Sequence, residues 1–317
     1  MPGGGVAARP WDARLSTPGS PVCTPDWLAL REGADARARS AELAGRLRDH
    51  LVATRNPGAP LVIRDLGCGT GSMGRWLVPR LPGPQHWFLH DRDRELLTRA
   101  HRGLPATAQD GTRVRVDTVP GDVTALVPVD LDGTTVVTAS ALLDLLTAEE
   151  VDRIAAVCTA AGCAALLTLT VVGQVAFEPA EELDGVFADA FNAHQRRTVA
   201  GRRLLGPDAG AAAVEAFEGR GAVVETRPSP WRLTSCRREA HGLDDGSSLP
   251  RRTGSAPGSE LLEEWLRGWI SAACEQRPQL ARHAGGYLQR RLAAIAAGEL
   301  SVTVGHLDVL ALPGEPG

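Results

Sequence analysis

The chain has 317 residues, 43% of them hydrophobic, which is enough for one large or two small domains. Its formal net charge of -4 argues against a partner bound mainly through phosphates, so we expect no nucleic-acid partner. The six cysteines have no Cys-x-x-Cys spacing, which argues against a zinc site and against a disulfide framework.

The first part of the chain is predicted to be a tail followed by a helical segment. Residues 1–21 are rich in proline and glycine and contain no long apolar run, so we expect a mobile tail that is neither a signal peptide nor a membrane span. This favours a cytoplasmic protein without a membrane partner. Residues 22–60 form the helical segment, in which leucines among acids and arginines predict that the stretch from Trp27 to Ala53 is helical.

The sequence from Leu61 to Ser72 is the most informative part of the chain. A short apolar strand carries Asp65 near its end and enters a turn with glycine at every second position: Gly67, Gly69 and Gly71. Glycine permits a positive φ and leaves room for a ligand against the backbone, and the helix predicted from Ser72 begins with unpaired amides. This pattern predicts a nucleotide or nucleoside pocket. Counted from Gly67, a dinucleotide fingerprint needs its third glycine at position 72, so a nicotinamide-dependent oxidoreductase is the less favoured alternative.

The pattern Asp-x-Gly-x-Gly-x-Gly resembles motif I of the class I S-adenosylmethionine (SAM) dependent methyltransferases. The resemblance implies an α/β, Rossmann-like methyltransferase fold with a mostly parallel seven-stranded sheet, an antiparallel last strand, N-terminal helices and a helical insertion before the last strand. It implies SAM as the cofactor, bound in part by the turn itself: Asp65, Gly67, Cys68, Gly69 and Gly71. N-terminal helices of such enzymes often close over the cofactor, so Arg31 is a candidate for its methionyl carboxylate, although a solvated arginine is the simpler interpretation.

An acid follows the second predicted strand, 85–90, as such a fold requires. Asp91 lies about 20 residues beyond the glycines, where an acid accepts hydrogen bonds from ribose hydroxyls. Asp93 fits the N-cap of a helix over 94–102 instead, because its side chain can accept from the first backbone amides. We therefore assign Asp91 to the ribose and Asp93 to the helix.

The next strands supply the remaining cofactor candidates. A third strand, 113–119, leads to Gly121 and Asp122, which resemble the family's glycine-acid pair that contacts the adenine amine, and Val123 follows as a further candidate. A fourth strand, 134–138, opens into a loop that contains Ser140, a further candidate. A helix and a fifth strand complete a predicted SAM-binding half over residues 61–175: 149–161 and 163–172.

The acceptor side is predicted to lie in residues 176–236. Helical spacing places His194 on the same stripe as Phe187 and Phe191, and two arginines follow directly. His194 is the candidate general base, with Arg196 and Arg197 as anchors for a polar or anionic substrate. A buried structural histidine is the competing interpretation. The segment continues as a helix, a sixth strand and an extension of that strand: 209–220, 221–226 and 228–233.

The C-terminal part is predicted to be a loop, a helical cap and the final strand. Residues 237–259 have the composition of a mobile loop. Residues 260–317 contain two amphipathic helices and a long strand: 261–275, 278–297 and 300–312. About 65 residues separate the sixth and last strands, which suggests a helical cap over the acceptor pocket. We assign Trp265 and Trp269 to core packing first.

These patterns predict SAM-dependent methyl transfer to a small-molecule acceptor, at oxygen, carbon or nitrogen, in secondary or specialised metabolism. The Asn-Pro-Pro-Tyr-like signature of many DNA and protein amine methyltransferases is absent after the fourth strand. No metal-ligand spacing is convincing, so no metal is expected, and the protein is expected to be a monomer or homodimer. A SAM-binding partner protein without turnover is a further alternative.

Overall fold

The computed structural model describes residues 23–56, 58–235 and 257–314. Within these residues the helices are α1 (Pro25–Ala38), α2 (Ala41–Thr54), α3 (Ser72–Leu77), α4 (Arg94–Gly103), α5 (Ala148–Ala160), α6 (Asp184–Gln195), α7 (Ala209–Glu218), α8 (Pro257–Gln276) and α9 (Ala281–Ala297). The strands are β1 (Leu61–Leu66), β2 (Gln85–Asp91), β3 (Val114–Pro120), β4 (Val136–Ser140), β5 (Ala164–Glu178), β6 (Thr198–Val199), β7 (Arg202–Arg203), β8 (Val223–Pro228), β9 (Trp231–Thr234) and β10 (Ser301–Leu312). The predicted tail and positions 237–256 of the predicted loop lie outside this part of the chain, and 257–259 begin α8.

The main sheet has the strand order β3-β2-β1-β4-β5-β10-β8, with β9 also paired to β10. Strands β1 to β5 are parallel, and β10 is antiparallel to both β5 and β8. The last strand is thus inserted between the fifth strand and β8, as the methyltransferase fold requires, and the predicted fold class is confirmed. Strand order reverses between β1 and β4, which creates a crevice at their carboxyl ends.

Helices cover both faces of the sheet. On one face, α2 and α3 bury Leu47 and Trp76 against the strands. On the other face, α5 and α7 bury Ile154 and Phe217 in a second core cluster. Strand β5 is buried from position 164 to 170, the near-continuous apolar pattern of a strand covered on both sides. No helix in the described ranges is long and apolar enough to cross a membrane.

The segment predicted to be helical, 27–53, forms two helices, α1 and α2, with a break at Arg39 and Ser40. Ser40 leaves the helical conformation, and its side chain accepts from Leu43 N as the N-cap of α2. A serine that can bond to nearby backbone amides competes with helix continuation. The break gives the N-terminal segment a corner beside the glycine turn.

Two strand predictions need correction. Strand β5 continues to Glu178, because the long β10 pairs with it as far as the Ser301–Glu178 register. The segment 228–233, predicted to extend the sixth strand as an edge or a bend, is a bend at Ser229 and Pro230 followed by the separate strand β9, since Pro230 has no amide to donate. The sheet therefore has eight strands rather than seven.

The predicted helical cap is an aromatic-rich cluster of α6, α8 and α9 with β9. Trp269 is 1% exposed and stacks on Trp265 at 5.6 Å between ring centroids. Phe187 stacks on Tyr287 at 4.8 Å, and both are fully buried. The assignment of the two tryptophans to core packing is confirmed. Residues of α1, including Trp27, pack on this cluster, so the cap supports α1 from outside.

One buried carboxylate, Asp308 of β10, joins segments that are distant in sequence. Its Oδ1 accepts from Leu169 N at 2.8 Å and from Ser229 Oγ at 2.5 Å. Its Oδ2 accepts from Ser40 N at 2.7 Å. Leu169 has φ +57°, and the register of β10 against β5 shifts at this point. Asp308 therefore accepts from the Leu169 amide, which has no partner in the irregular strand pairing. Burial raises the pKa of Asp308, while Ser229, Ser40 and Leu169 lower it by donating.

We expect Asp308→Ala to lower the free energy of unfolding by about 3 kcal/mol or more, because three buried donors lose their acceptor. Urea unfolding at pH 7 measures this. Asp152→Ala is the matched control: this aspartate pairs with Arg220 at the surface, and its loss should change stability by less than about 0.5 kcal/mol. Equal effects of the two variants would contradict the role given to Asp308.

Candidate active site

A cavity of about 790 Å³ opens at the carboxyl ends of β1 to β4. This volume lies within the range of small-molecule sites. Its wall includes the glycine turn, the acids that follow β2 and β3, and the segment after β4. The residues that line it are Cys23, Leu28, Arg31, Asp35, Asp65, Gly67, Cys68, Gly69, Thr70, Ser72, Met73, Asp91, Arg92, Asp93, Arg94, Leu96, Gly121, Asp122, Val123, Thr124, Ser140, Ala141, Leu142, Leu145 and Leu146.

The glycine turn has the left-handed backbone that its sequence predicts. Gly67, Gly69 and Gly71 have φ values of +62°, +55° and +86°. A Cβ built on Gly69 would lie 3.2 Å from Cδ1 of Leu28, so α1 closes directly onto the turn. Cys68 N donates to the carbonyl of His90 at 2.9 Å, which ties the turn to the end of β2. Burial raises the pKa of the Cys68 thiol well above its usual range, which favours packing over reactivity.

Asp91 and Asp93 have different hydrogen-bond partners. Asp93 Oδ1 accepts from Glu95 N and Leu96 N, so its assignment as the N-cap of α4 is confirmed. Asp91 Oδ2 accepts from Gly69 N at 2.9 Å, and its Oδ1 accepts from Asp93 N at 2.9 Å. Each carboxylate oxygen has a second lone pair, so Asp91 retains acceptor capacity toward the cavity. Burial raises its pKa, and these two amides lower it.

The turn after β3 lies beside Asp91. Gly121 N donates to the Asp91 carbonyl at 3.0 Å, and Asp122 Oδ1 accepts from Thr124 N at 2.9 Å. Asp122 and Val123 both line the cavity. The predicted cofactor residues after β2 and β3 are therefore brought together at one edge of the sheet.

Asp65 is fully buried, yet only one of its carboxylate oxygens has a partner. Thr138 Oγ1 donates to Oδ1 at 2.7 Å, whereas Oδ2 has no protein partner within the described residues. Burial raises the pKa of Asp65 to about 7; Thr138 and Arg39 lower it, and Asp91 raises it. Since Asp65 lines the cavity, a buried carboxylate with one unpartnered oxygen is part of the cavity wall.

Arg39, at the break between α1 and α2, is a site residue that the sequence analysis missed. It is 4% exposed, and its Nη2 donates to Ser72 Oγ at 2.9 Å and to Ser140 Oγ at 3.0 Å. Its Nε and Nη1 are buried without a partner in the part of the chain described. The sequence gives no signal that an arginine within a predicted helical segment will be buried beside the cavity. The nearest signal is Ser40, a residue type that can act as an N-cap and so mark the break between two helices.

Arg31 lines the cavity, as predicted, but it is not a free cation. Its Nε and Nη2 donate to both carboxylate oxygens of Asp35, at 3.0 to 3.2 Å. Asp35 also accepts from Trp231 Nε1 at 3.0 Å, and the Arg31 guanidinium lies 4.8 Å from the Trp231 ring centroid. Strand β9 thus fixes the α1 side of the cavity.

The predicted acceptor-side group is not brought into this cavity. His194, Arg196 and Arg197 are absent from its wall. His194 Nδ1 lies 3.9 Å from Glu275, and burial lowers its pKa. Arg196 pairs with Asp208 at 2.6 Å and lines a separate depression of about 620 Å³. The catalytic role given to these three residues stays a prediction that the cavity geometry does not support.

Arg197 acts electrostatically on Asp144, in the segment that follows β4. It lowers the pKa of Asp144, as Arg31 does, against the larger raising effect of burial. No residue of α8 or α9 lines the cavity either, so in the described residues the cap contacts it only through α1. The described ranges contain no group of three or more potential metal-ligating side chains.

No protein-family model and no curated protein sequence matches this chain. Among solved structures it is similar to mycolic acid cyclopropane synthase CmaA1 complexed with SAH and CTAB, at 12% identity and TM-score 0.40, over 84% of this chain and 82% of that chain. It is similar to a SAM-dependent methyltransferase from Geobacter sulfurreducens in complex with S-adenosyl-L-homocysteine, at 14% identity and TM-score 0.40, over 90% and 98%. Geranyl diphosphate methyltransferase in complex with GPP and sinefungin matches at 12% identity and TM-score 0.38, over 84% and 77%. The fold is assigned from the strand order β3-β2-β1-β4-β5-β10-β8 and not from these similarities.

We expect Asp65 to make the stability of the ligand-free protein depend on pH. Its pKa is about 7 in the folded chain and about 3.9 when unfolded, so the folded state binds more protons between these values. Stability from this group is therefore present at low pH and falls as pH rises from about 4 to 7, by up to the order of 4 kcal/mol.

Urea unfolding of the wild-type protein and Asp65→Asn between pH 4.5 and 7.5 measures this dependence. The amide does not ionise, so the stability of Asp65→Asn relative to wild type should increase with pH over that range. A difference between the two proteins that is constant with pH would contradict an elevated pKa of Asp65.

Proposed function

We infer that the protein is a SAM-dependent methyltransferase that acts on a small-molecule acceptor. The observation that carries this inference is the unpartnered Oδ2 of Asp65, buried in the wall of a cavity that Asp91 also lines. A ligand with a ribose at one end and a protonated amine at the other matches these two acids. SAM has both, joined through its sulfonium centre.

The described residues fit each part of this cofactor. Asp91 would accept from the ribose hydroxyls, and Asp65 Oδ2 would accept from the α-ammonium group. Asp122 and Val123 lie beyond Asp91, where the resemblance implies the adenine. The left-handed glycine turn leaves backbone in the wall without side chains in the way. When bound, the cofactor supplies an electrophilic methyl group.

The contribution of the chain to the reaction is mainly positioning. Holding two reactants in line gives effective molarities on the order of 10⁵ M or more. Leu28 of α1 and three leucines after β4 provide apolar walls that exclude water: Leu142, Leu145 and Leu146. The variant His194→Ala tests base catalysis once an acceptor is known.

The nicotinamide-dependent oxidoreductase remains the competing enzyme class. Glycine spacing does not separate the two, because Gly69, Gly71 and Gly74 fit the dinucleotide fingerprint when counted from Gly69. The absence of a glycine at position 72 is therefore not an argument against that class. The sheet gives a better criterion: its antiparallel β10 between β5 and β8 differs from the order 3-2-1-4-5-6 of the dinucleotide-binding fold.

Calorimetry with SAM, S-adenosylhomocysteine and NAD tests this proposal. We expect the two sulfur compounds to bind and NAD to bind at least tenfold more weakly or not at all. Tight NAD binding without SAM binding would reject the methyltransferase proposal. Incubation of the protein with methyl-labelled SAM and a metabolite extract then tests turnover, since binding without transfer of label would favour a SAM-binding partner protein.

Variants of the two acids after β2 test the placement of the cofactor. We expect Asp91→Ala to weaken SAM binding by about 1.5 to 3 kcal/mol, because charge-assisted hydrogen bonds to the ribose are lost. Asp93→Ala is the control: it should cost about 1 kcal/mol of stability through loss of the N-cap, with little change in affinity. Calorimetry and thermal unfolding separate the two effects, and weakened binding in Asp93→Ala alone would show that the ribose lies elsewhere.

A further inference from the structure

Arg39 carries a buried positive charge that no carboxylate of the described chain hydrogen-bonds. Among the described residues, its hydrogen-bond partners are the hydroxyls of Ser72 and Ser140, both on Nη2, and its guanidinium lies 5.8 Å from the centroid of the Trp76 ring. Three aspartates act on this charge electrostatically but do not hydrogen-bond to Arg39: Asp35 binds Arg31 and Trp231, Asp308 binds Ser40, Leu169 and Ser229, and Asp65 accepts from Thr138 through one oxygen. A buried charge without a counter-ion is unfavourable, and an anion placed close to it relieves that cost.

The two serines direct this charge toward the cavity. Ser140 Oγ accepts from Arg39 Nη2 at 3.0 Å and from Thr168 Oγ1 at 3.0 Å. A hydroxyl oxygen has two lone pairs, so both are used and the Ser140 hydrogen is left to donate. Ser72 Oγ also accepts from Arg39, and neither serine hydroxyl donates to another group of the described chain. Both serines line the cavity, whereas Arg39 itself lies behind them.

We propose that Ser72 and Ser140, backed by Arg39, bind the carboxylate of an α-amino-acid group, which in SAM is the methionyl carboxylate. The proposal rests on the proposed function. Two hydroxyl donors polarised by one guanidinium suit the two oxygens of a carboxylate. Asp65 lies within electrostatic reach of Arg39 and offers its unpartnered Oδ2 to the neighbouring ammonium. The site thus presents an acceptor and a pair of donors for the two charges of one zwitterion.

This assignment replaces Arg31 as the carboxylate anchor. Arg31 uses Nε and Nη2 for both oxygens of Asp35, which also holds Trp231. Its charge is therefore already compensated by a fixed carboxylate. Arg39 is a positioning residue in this arrangement, because it acts through the two serines rather than by contact with the ligand.

Decarboxylated SAM tests the carboxylate alone, since it keeps the adenosine, the sulfonium and the amine. We expect the wild-type protein to bind SAM about 10- to 100-fold more tightly than decarboxylated SAM, the range of one or two charge-assisted hydrogen bonds. In Arg39→Met this ratio should fall to within a few fold of one. Affinity for 5′-methylthioadenosine, which lacks the whole amino-acid group, should stay within about threefold of wild type in the same variant.

Three further variants make the test specific. Ser72→Ala/Ser140→Ala keeps Arg39 and should also lose most of the discrimination, which decides the matter if Arg39→Met does not fold. Arg39→Lys keeps the charge with a single donor group and should restore part of the ratio. Arg31→Met is the matched control, and it should keep the wild-type ratio even if its overall affinity changes.

The outcomes separate this inference from the proposed function. A wild-type protein that binds SAM and methylthioadenosine but does not discriminate against decarboxylated SAM overturns the carboxylate site and leaves the function standing. Loss of discrimination in Arg31→Met, with the ratio kept in the double serine variant, overturns it as well. A wild-type protein that binds none of the three compounds overturns the proposed function and this inference together.

Discussion

The hydrogen bonds of Asp308 are the constraint on which the geometry of the site depends. This one buried carboxylate holds the amide of Ser40, the amide of Leu169 and the hydroxyl of Ser229. Those groups belong to the α1–α2 corner, to the irregular point of β5 and to the bend between β8 and β9. Fixing the corner places Arg39, the residue before Ser40, behind the wall of the cavity. The last strand of the chain therefore shapes a site that consists mainly of residues from the first half.

A second chain of contacts fixes α1 as the outer wall of the cavity. Trp231 of β9 donates to Asp35, and Asp35 binds Arg31 in a bidentate pair. Glu32, on the same helix, pairs with Arg75 at 2.6 Å on α3. Leu28 then lies against Gly69 of the glycine turn. The inserted helical cap contributes by packing on α1, so its effect on the cavity is indirect.

The sequence predicted the parts of the site that follow from local pattern. Glycine spacing and the acids after β2 identified the turn, Asp91 and Asp93, because turn backbone and N-caps depend on neighbouring residues. Arg39 escaped prediction because its role depends on a helix break fixed by Asp308, about 270 positions away in the chain. The acceptor-side group around His194 was placed by helical spacing alone, which says which residues share a face but not what that face contacts. Strand β9 was missed for a similar reason, since only its pairing with β10 distinguishes it from an extension of β8.

The cavity wall and the layer directly behind it contain buried ionisable groups of both signs, and these groups bear on the ligand that the cavity can hold. Within the described residues, Asp65 in the wall has one unpartnered oxygen, and Arg39 behind Ser72 and Ser140 has two unpartnered nitrogens, all of them buried. Natural cores contain few such groups, because each costs stability unless a partner is supplied. A neutral nucleoside would leave both groups uncompensated, and a simple anion or cation would compensate only one. A ligand that carries a zwitterion next to its nucleoside brings a charge of opposite sign near each group, near Arg39 through the two serines, and this is the physical reason for proposing SAM rather than a nucleotide whose charge lies in its phosphates.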